Sequence, residues 1–355
     1  MKIEKAELAR KIDKLKSVVP KNSTIAALQG ICVCGDKMIA GNGEMTVKVK
    51  IGALEGESFI IPAKAFDLIK NLPEGEISIT ENEKNIITIK TGKIKNTYQS
   101  FPAESYPYSA EHTPEGGGKA RIPATELKGA MAHVLYAIPQ KSTNATMTAL
   151  YLEAKDGKLN YVGLDGHVLA WDQQDFEGDF AILLPRSAVE KLLALEMGED
   201  VFIEYDKSCA IFRSDEYEVY TRLVEGKYYP YANMFTSFSM ETRVKRRELL
   251  DAITRAKLCT DEKTPTKFEI EKDSLKLSIK DSTADYSEIV QLHDEMEKLV
   301  IGFNSSLVLE TLKAFDADDI VLRFGGSSVP MIVKAGNMQA VVLPVKLRGG
   351  VNEKR

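Results

Sequence analysis

Three stretches of this chain read as one helix written three times, and that repetition limits the possible fold more than any other feature. They are IEKAELARKIDKLKSVVP from Ile3, IPATELKGAMAHVLYAIP from Ile122 and VKRRELLDAITRAKLCT from Val244. Each opens on an extended apolar residue, reaches a Glu-Leu pair, and continues with apolar residues at helical spacing. Glu7, Glu126 and Glu248 stand 119 and 122 residues apart. Leu8, Ile12 and Leu15, and Leu127, Met131 and Val134, mark one buried stripe per helix. A second element recurs at the same period: FIIPAKAFDLIKNL from Phe59, AILLPRSAVEKLLAL from Ala181 and LVIGFNSSLVLETLKAF from Leu299. Each reads as a buried strand, a turn and an amphipathic helix. Pro62 and Pro185 sit where strand gives way to helix, and in the third copy Asn304 or Ser305 is the expected N-cap.

A strand pair follows each of these second helices: EISITENEKNIITIK, EDVFIEYDKSCAIFRS and DDIVLRFGGSSVPMIVKA. Alternation such as Val201-Ile203-Tyr205 is the half-buried strand pattern. The expected architecture is α+β, with three tandem repeats, each carrying two helices packed on antiparallel sheets. Boundaries are expected near HTPEGGGK, His112 to Lys119, and near Thr236 to Ser239. That divides the chain into domains 1–118, 119–238 and 239–355.

At 355 residues, with 44% apolar and 28% charged residues, the chain is long enough for two or three cores. No apolar run approaches membrane-spanning length, and the N-terminus is charged from Lys2, so a secretory leader and a membrane span are not expected. The four cysteines are too few for a disulfide framework in a chain of this size. Cys32 and Cys34 would share one face of a buried strand, which fits a reducing cytosol.

The net charge of −5 argues against a surface that coats nucleic acid everywhere, but its distribution is uneven. Residues 1–21 carry seven cations against three acids, and residues 243–257 carry six against two, a net of +4 in each. The middle helix has only Lys128 and Lys141 against Glu126. Such faces either solvate exposed helices or contact phosphates without reading sequence. If the helices line a channel, six of them at ~9 Å spacing enclose a hole about 17 Å across, and twelve a hole near 35 Å. Only the larger admits a duplex roughly 20 Å wide. Two chains closing head to tail would supply it.

Three strings carry a specific resemblance. LDGHVLAW, Leu164 to Trp171, resembles the Thr-Asp-Gly-His-Arg-Leu-Ala of the bacterial DNA sliding clamps, the beta subunits of DNA polymerase III. RLVEGKYYPYANMF, Arg222 to Phe235, resembles their Arg-Leu-Ile-(Asp/Glu)-Gly-x-Phe-Pro-Asp-Tyr, and VVLPVKL, Val341 to Leu347, their terminal Val-Met-Pro-Met-Arg-Leu. FIIPAKAF and the IGFN of Ile301 to Asn304 are similar as well, so the resemblance spans nearly the whole chain in order.

The resemblance implies a three-domain chain that dimerises into a ring around double-stranded DNA. It implies opening by an ATP-driven loader and no catalytic activity; no cofactor is expected, and His112, His133, His167 and His293 show no metal-ligand spacing. Polymerases and the loader would insert a linear peptide, roughly Gln-Leu-x-Leu-Phe, between the second and third domains. Carried over, that groove uses Met147, Leu164, Gly166, His167, Val168 and Leu169. It adds Pro230, Met234 and Phe235, and Val341, Val342, Leu343, Pro344 and Val345. The segments are apolar and shaped by Gly and Pro, as a pocket for Leu and Phe anchors requires.

The DNA-facing residues would be Arg10, Lys14, Lys21, Lys128, Lys141, Arg247 and Arg255, and the dimer contact would use Tyr106, Leu258 and Cys259. Location in the cytoplasm at the nucleoid follows. Val168 and Lys346 stand where the family usually has Arg, and a tail, Arg348 to Arg355, runs past its usual end. These departures mark a divergent member.

Two other functions compete. Asp165 and His167 could form an acid–base pair, but no convergent Ser, Cys or metal-ligand spacing accompanies them, nor does a phosphate-cradling loop. A clamp-fold scaffold that binds peptides without encircling DNA is the other.

Overall fold

The computed structural model describes residues 1–52, 58–107, 114–235, 238–259, 264–280 and 285–347. The expected boundary stretches fall partly outside these, and the tail Arg348 to Arg355 wholly. Six α-helices occur among the described residues: α1 (Lys5–Leu15), α2 (Phe66–Asn71), α3 (Ala124–Leu135), α4 (Arg186–Ala194), α5 (Arg246–Leu258) and α6 (Ser305–Ala314). The chain divides into two compact units, Met1–Leu127 with Ser187–Leu223 and Lys128–Arg186 with Val224–Arg355.

The first unit holds an eight-stranded antiparallel sheet in the order 59–62, 30–34, 37–41, 45–50, 217–222, 209–213, 200–205, 118–123. A four-stranded sheet, 2–4, 76–81, 86–91, 94–99, accompanies it. The second unit repeats the eight-stranded order with 180–185, 149–155, 158–164, 168–175, 338–342, 331–335, 319–324, 240–245. In both, the central seam joins strands far apart in sequence, with Val47 opposite Val219 in one and Leu169 opposite Val341 in the other.

The first helix of each repeat starts in the same way. A strand runs straight into it, and its first amide donates to the carbonyl just before the neighbouring strand: Lys5 to Gly75 (2.9 Å), Ala124 to Glu199 (2.7 Å) and Arg246 to Asp318 (2.8 Å). These bonds satisfy a helix-end donor that a side chain would otherwise cap, and Glu4 and Lys245 supply no side-chain cap. The stripe Leu8, Ile12, Leu15 is buried in α1, as is Leu249, Ala252, Ile253, Ala256 in α5. Truncating one such leucine to alanine costs about 2–5 kcal/mol.

The second helices begin as their sequences suggest. Pro62 and Pro185 end their strands, and Asn304 caps α6 by accepting from the Ser306 amide at 2.8 Å. The third repeat differs from the first two after its first helix. One hairpin of 266–280 against 285–303 replaces the shorter strands, with its register shifting between Ile270 and Ser274 around the left-handed Lys272 (φ 55°). All four cysteines are free thiols, and burial pushes Cys32 up to about 12. No helix among the described residues is long and apolar enough to cross a membrane.

Candidate functional site

In the second unit, the three segments singled out by sequence meet on one sheet face. Leu164 pairs with Leu169 and Leu169 with Val341, so these three side chains point the same way. They join Ala149, Val162, Leu183, Tyr228, Tyr231 and Ile332 in one buried cluster, with Met147, Trp171 and Phe235 packed against it. The 228–235 segment lies over this face, with Tyr231 edge to face on Trp171 at 5.2 Å and Phe235 tilted against it at 5.0 Å.

The turn at 165–168 is built by its aspartate. Asp165 Oδ1 accepts the amides of His167 (2.8 Å) and Val168 (2.7 Å), and Gly166 takes the positive φ of 89°. That leaves Gly166 and His167 exposed at the rim. It also accounts for the Asp-x-His spacing as turn construction, with Oδ1 of the carboxylate accepting both backbone amides. The Leu343 amide then donates to the His167 carbonyl at 2.9 Å, and the Val345 amide to Gly302 at 2.9 Å. A Cβ on Gly302 would come within 2.8 Å of the Val345 carbonyl, so only glycine lets the terminal segment lie this close. Met234, Leu343 and Val345 are three of the nine large hydrophobic side chains left exposed among the described residues. Met234 belongs to the segment that lies over this sheet face, and Leu343 and Val345 to the terminal segment, where Leu343 is bonded to the turn and Val345 to Gly302.

Two residues of the expected groove set do not join it. Val168 and Val342 oppose each other in register and are 2% and 0% exposed. Alternation along their strands turns them to the face away from Leu169 and Val341. They are core residues that contribute backbone only. Pro230 is exposed and borders a neighbouring cleft, and Pro344 is half-buried between Leu343 and Val345. Sequence reading passed over Tyr151, Trp171, Tyr228 and Tyr231; the aromatic run KYYPY was the available signal.

The expected DNA-facing cations are mostly engaged by acids. Within the first unit, Arg10 lies 3.7 Å from Glu216, and Lys14 binds Glu196 at 3.1 Å and the Ala194 carbonyl at 3.0 Å. Lys191 reaches the Lys14 carbonyl and the Ser17 hydroxyl, and burial, then Lys14, push it down to about 8. Within the second, Arg247 pairs with Asp251 at 3.1 Å, and Arg255 forks onto Glu288 at 2.5 and 2.9 Å, a bond that raises its pKa. Counting cations along the helices therefore overstated their free charge. Lys21 and Lys141 are exposed in loops that follow α1 and α3 and have no ion-pair partner among the described residues. Lys128 is half-buried on α3.

The dimer set divides. Leu258 is 83% exposed, the most exposed large hydrophobic side chain among the described residues, and Cys259 beside it is half-buried. Tyr106, in contrast, is 3% exposed. Its hydroxyl accepts from the Gly41 amide (3.0 Å) and donates to the Gly30 carbonyl (3.3 Å), and burial raises its pKa. It packs with Ala27, Leu28, Ile39 and Ile60 in its own unit, so its side chain has no surface for a partner.

His133 on α3 bridges two carboxylates, Asp172 through Nδ1 (2.6 Å) and Asp316 through Nε2 (3.3 Å). The Asp172 bond is the main reason its pKa lies above the usual 6.5.

Comparison with known proteins agrees with this arrangement. Residues 1–110 match the family model of the DNA polymerase III beta subunit N-terminal domain, and residues 236–346 that of its C-terminal domain. The chain is 24% identical to the beta sliding clamp of Rickettsia bellii, covering 97% of this chain and 99% of that protein. It is 23% identical to the beta sliding clamp of Staphylococcus epidermidis, covering 94% and 95%. Among solved structures, the DNA polymerase sliding clamp of Bacillus subtilis superposes with a TM-score of 0.91 at 20% identity, covering 98% of this chain and 99% of that one. The Pseudomonas aeruginosa sliding clamp bound to griselimycin gives 0.90 at 22%, with the same coverage. The chain belongs to the family of DNA polymerase III beta subunits, the DNA sliding clamps, and at these identities it is a divergent member.

Proposed function

We propose that this chain is the ring subunit of a sliding clamp: two copies close head to tail around duplex DNA and tether polymerases to it. Its three repeats, 1–118, 119–238 and 239–355, would each contribute two helices toward the opening. The subunit carries out no chemistry; it acts in the cytoplasm at the nucleoid and is opened by an ATP-driven loader. The observation that carries this reading is the apolar cluster of Leu164, Leu169 and Val341, with exposed Met234, Leu343 and Val345 on the two segments that border it, within a fold of the clamp type. Leu and Phe anchors of a linear peptide, from a polymerase or the loader, would bury that surface. Tyr106 has no role in the dimer contact on this reading, and Leu258 with Cys259 remains in it.

Topological retention tests the ring. Loaded onto nicked circular DNA, the protein should survive a high-salt wash and leave once the circle is linearised, because ionic binding alone weakens steeply with salt. Release by salt from the intact circle would refute encirclement. The pairing of Arg10, Lys14, Arg247 and Arg255 with acids favours a second reading, a clamp-fold scaffold that binds peptides without DNA. It predicts peptide binding with no retention on any DNA.

A further inference from the structure

The face that carries the groove continues past Trp171 into a second cleft of about 620 Å³ that the groove does not use. Register places Tyr151, Glu153, Asn160, Trp171 and Gln173 on one side of strands 149–155, 158–164 and 168–175, and residues 227–233 form the opposite wall. Tyr151 stacks on Tyr228 with centroids 4.6 Å apart. Trp171 stands between the two sites, touching Phe235 on the groove side and Tyr231 on the cleft side.

The cleft contains a carboxylate in a fixed position. Glu153 Oε1 accepts from the Tyr151 hydroxyl at 3.1 Å, and Oε2 accepts from the Tyr231 hydroxyl at 2.7 Å. Asn160 holds the indole in place, its Oδ1 accepting from Trp171 Nε1 and from Gln173 Nε2, both at 3.0 Å. No lysine or arginine among the described residues pairs with Glu153, although ion pairs are frequent elsewhere in the chain, Lys158 with Asp175 on the same rim included. Each carboxylate oxygen, having accepted one hydroxyl, keeps acceptor capacity on its other lone pair. A carboxylate among aromatic rings is the arrangement that receives a guanidinium, which is planar, stacks on rings and donates in a fork.

We infer that this cleft is an extension of the peptide groove that takes an arginine side chain flanking the Leu/Phe anchors of a bound peptide, with Glu153 as its partner. The inference rests on the groove reading above, and continuity through Trp171 joins the two sites. Lys155 and Lys227, exposed on the rim, offer the opposite chemistry to an acidic flank, so the test includes one.

The experiment is fluorescence anisotropy with the full chain and labelled synthetic peptides. One carries only the Gln-Leu-x-Leu-Phe anchor; others add a single Arg, or a single Asp, at successive positions beyond either end. At one spacing, Arg should tighten binding about fivefold over the anchor alone. Glu153→Gln should abolish that gain and leave anchor-only affinity unchanged. Arg peptides that bind no tighter than the anchor overturn the extension while leaving the groove standing. A gain for Asp in place of Arg also overturns it and assigns the rim lysines. Failure of the anchor peptide to bind removes the groove reading, and this one with it.

Discussion

The backbone amide of Leu343 donates to the carbonyl of His167 across 2.9 Å, tying the last described segment of the chain to the Asp165 turn. The two residues are 176 positions apart, and both are exposed, so the bond sets the spacing of two rims without burying either side chain. Leu343 should therefore act as a peptide contact with little part in stability, while Phe235, half-buried against Trp171, contributes to both. Replacing both with alanine is expected to weaken binding of a Gln-Leu-x-Leu-Phe peptide about tenfold or more. Gel filtration should still show the wild-type oligomer. An oligomer lost with peptide affinity retained would place the two residues in an interface between copies.

Asp165 gives the turn its shape. Asp165→Ala leaves the His167 and Val168 amides without their acceptor, and urea unfolding should register a loss of about 1–3 kcal/mol. Asp165→Asn, which keeps one acceptor oxygen, should recover most of it. A catalytic role for the Asp165–His167 pair predicts the reverse: both variants would abolish some hydrolytic activity and leave stability alone.

How far the sequence was readable follows from what each feature depends on. Periodicity along a few turns is local, so the stripes Leu8, Ile12, Leu15 of α1 and Leu127, Met131, Val134 of α3, the strand ends at Pro62 and Pro185 and the Asn304 cap could all be read from single segments. The hidden features depend on partners distant in sequence. Arg255 and Glu288 are 33 residues apart, and Lys14 and Glu196 are 182 apart, so a charge sum along a helix counts cations that the fold has already matched. The face taken by Val168 required the register of its strand with 338–342. Resemblance alone places Tyr106 in the dimer contact, and only the fold shows its hydroxyl enclosed between Gly30 and Gly41.

Those matched charges rank the cations for phosphate contact. Lys21→Glu and Lys141→Glu should each lower the salt dependence of association with duplex DNA, by about one phosphate's worth in slope. Arg255→Gln should change it less, since Glu288 already holds that guanidinium. Titrating binding across a salt series for the three variants checks the order, and an Arg255 effect larger than that of Lys21 would contradict it.

His133 predicts a pH effect of definite sign. Its pKa is raised in the folded chain, chiefly by Asp172 and further by Asp316, so the folded state holds the proton more tightly than the unfolded one. The stabilisation is complete below the ordinary value of 6.5 and fades as pH rises through the raised one. The stability difference between wild type and His133→Asn should thus be larger at about pH 5.5 than at about pH 8.5. Chemical denaturation at the two pH values measures it, and an equal or inverted difference would show that the bridge is not ionic.

Each eight-stranded sheet is closed by a partner made much later in synthesis. Strand 168–175 leaves the ribosome about 160 residues before 338–342, its neighbour, a wait of roughly ten to thirty seconds at ordinary translation speeds. For that interval its bonding edge stands open to any extended chain nearby. The nascent protein is therefore most exposed to misassembly while still incomplete, when a shielding factor would do the most good.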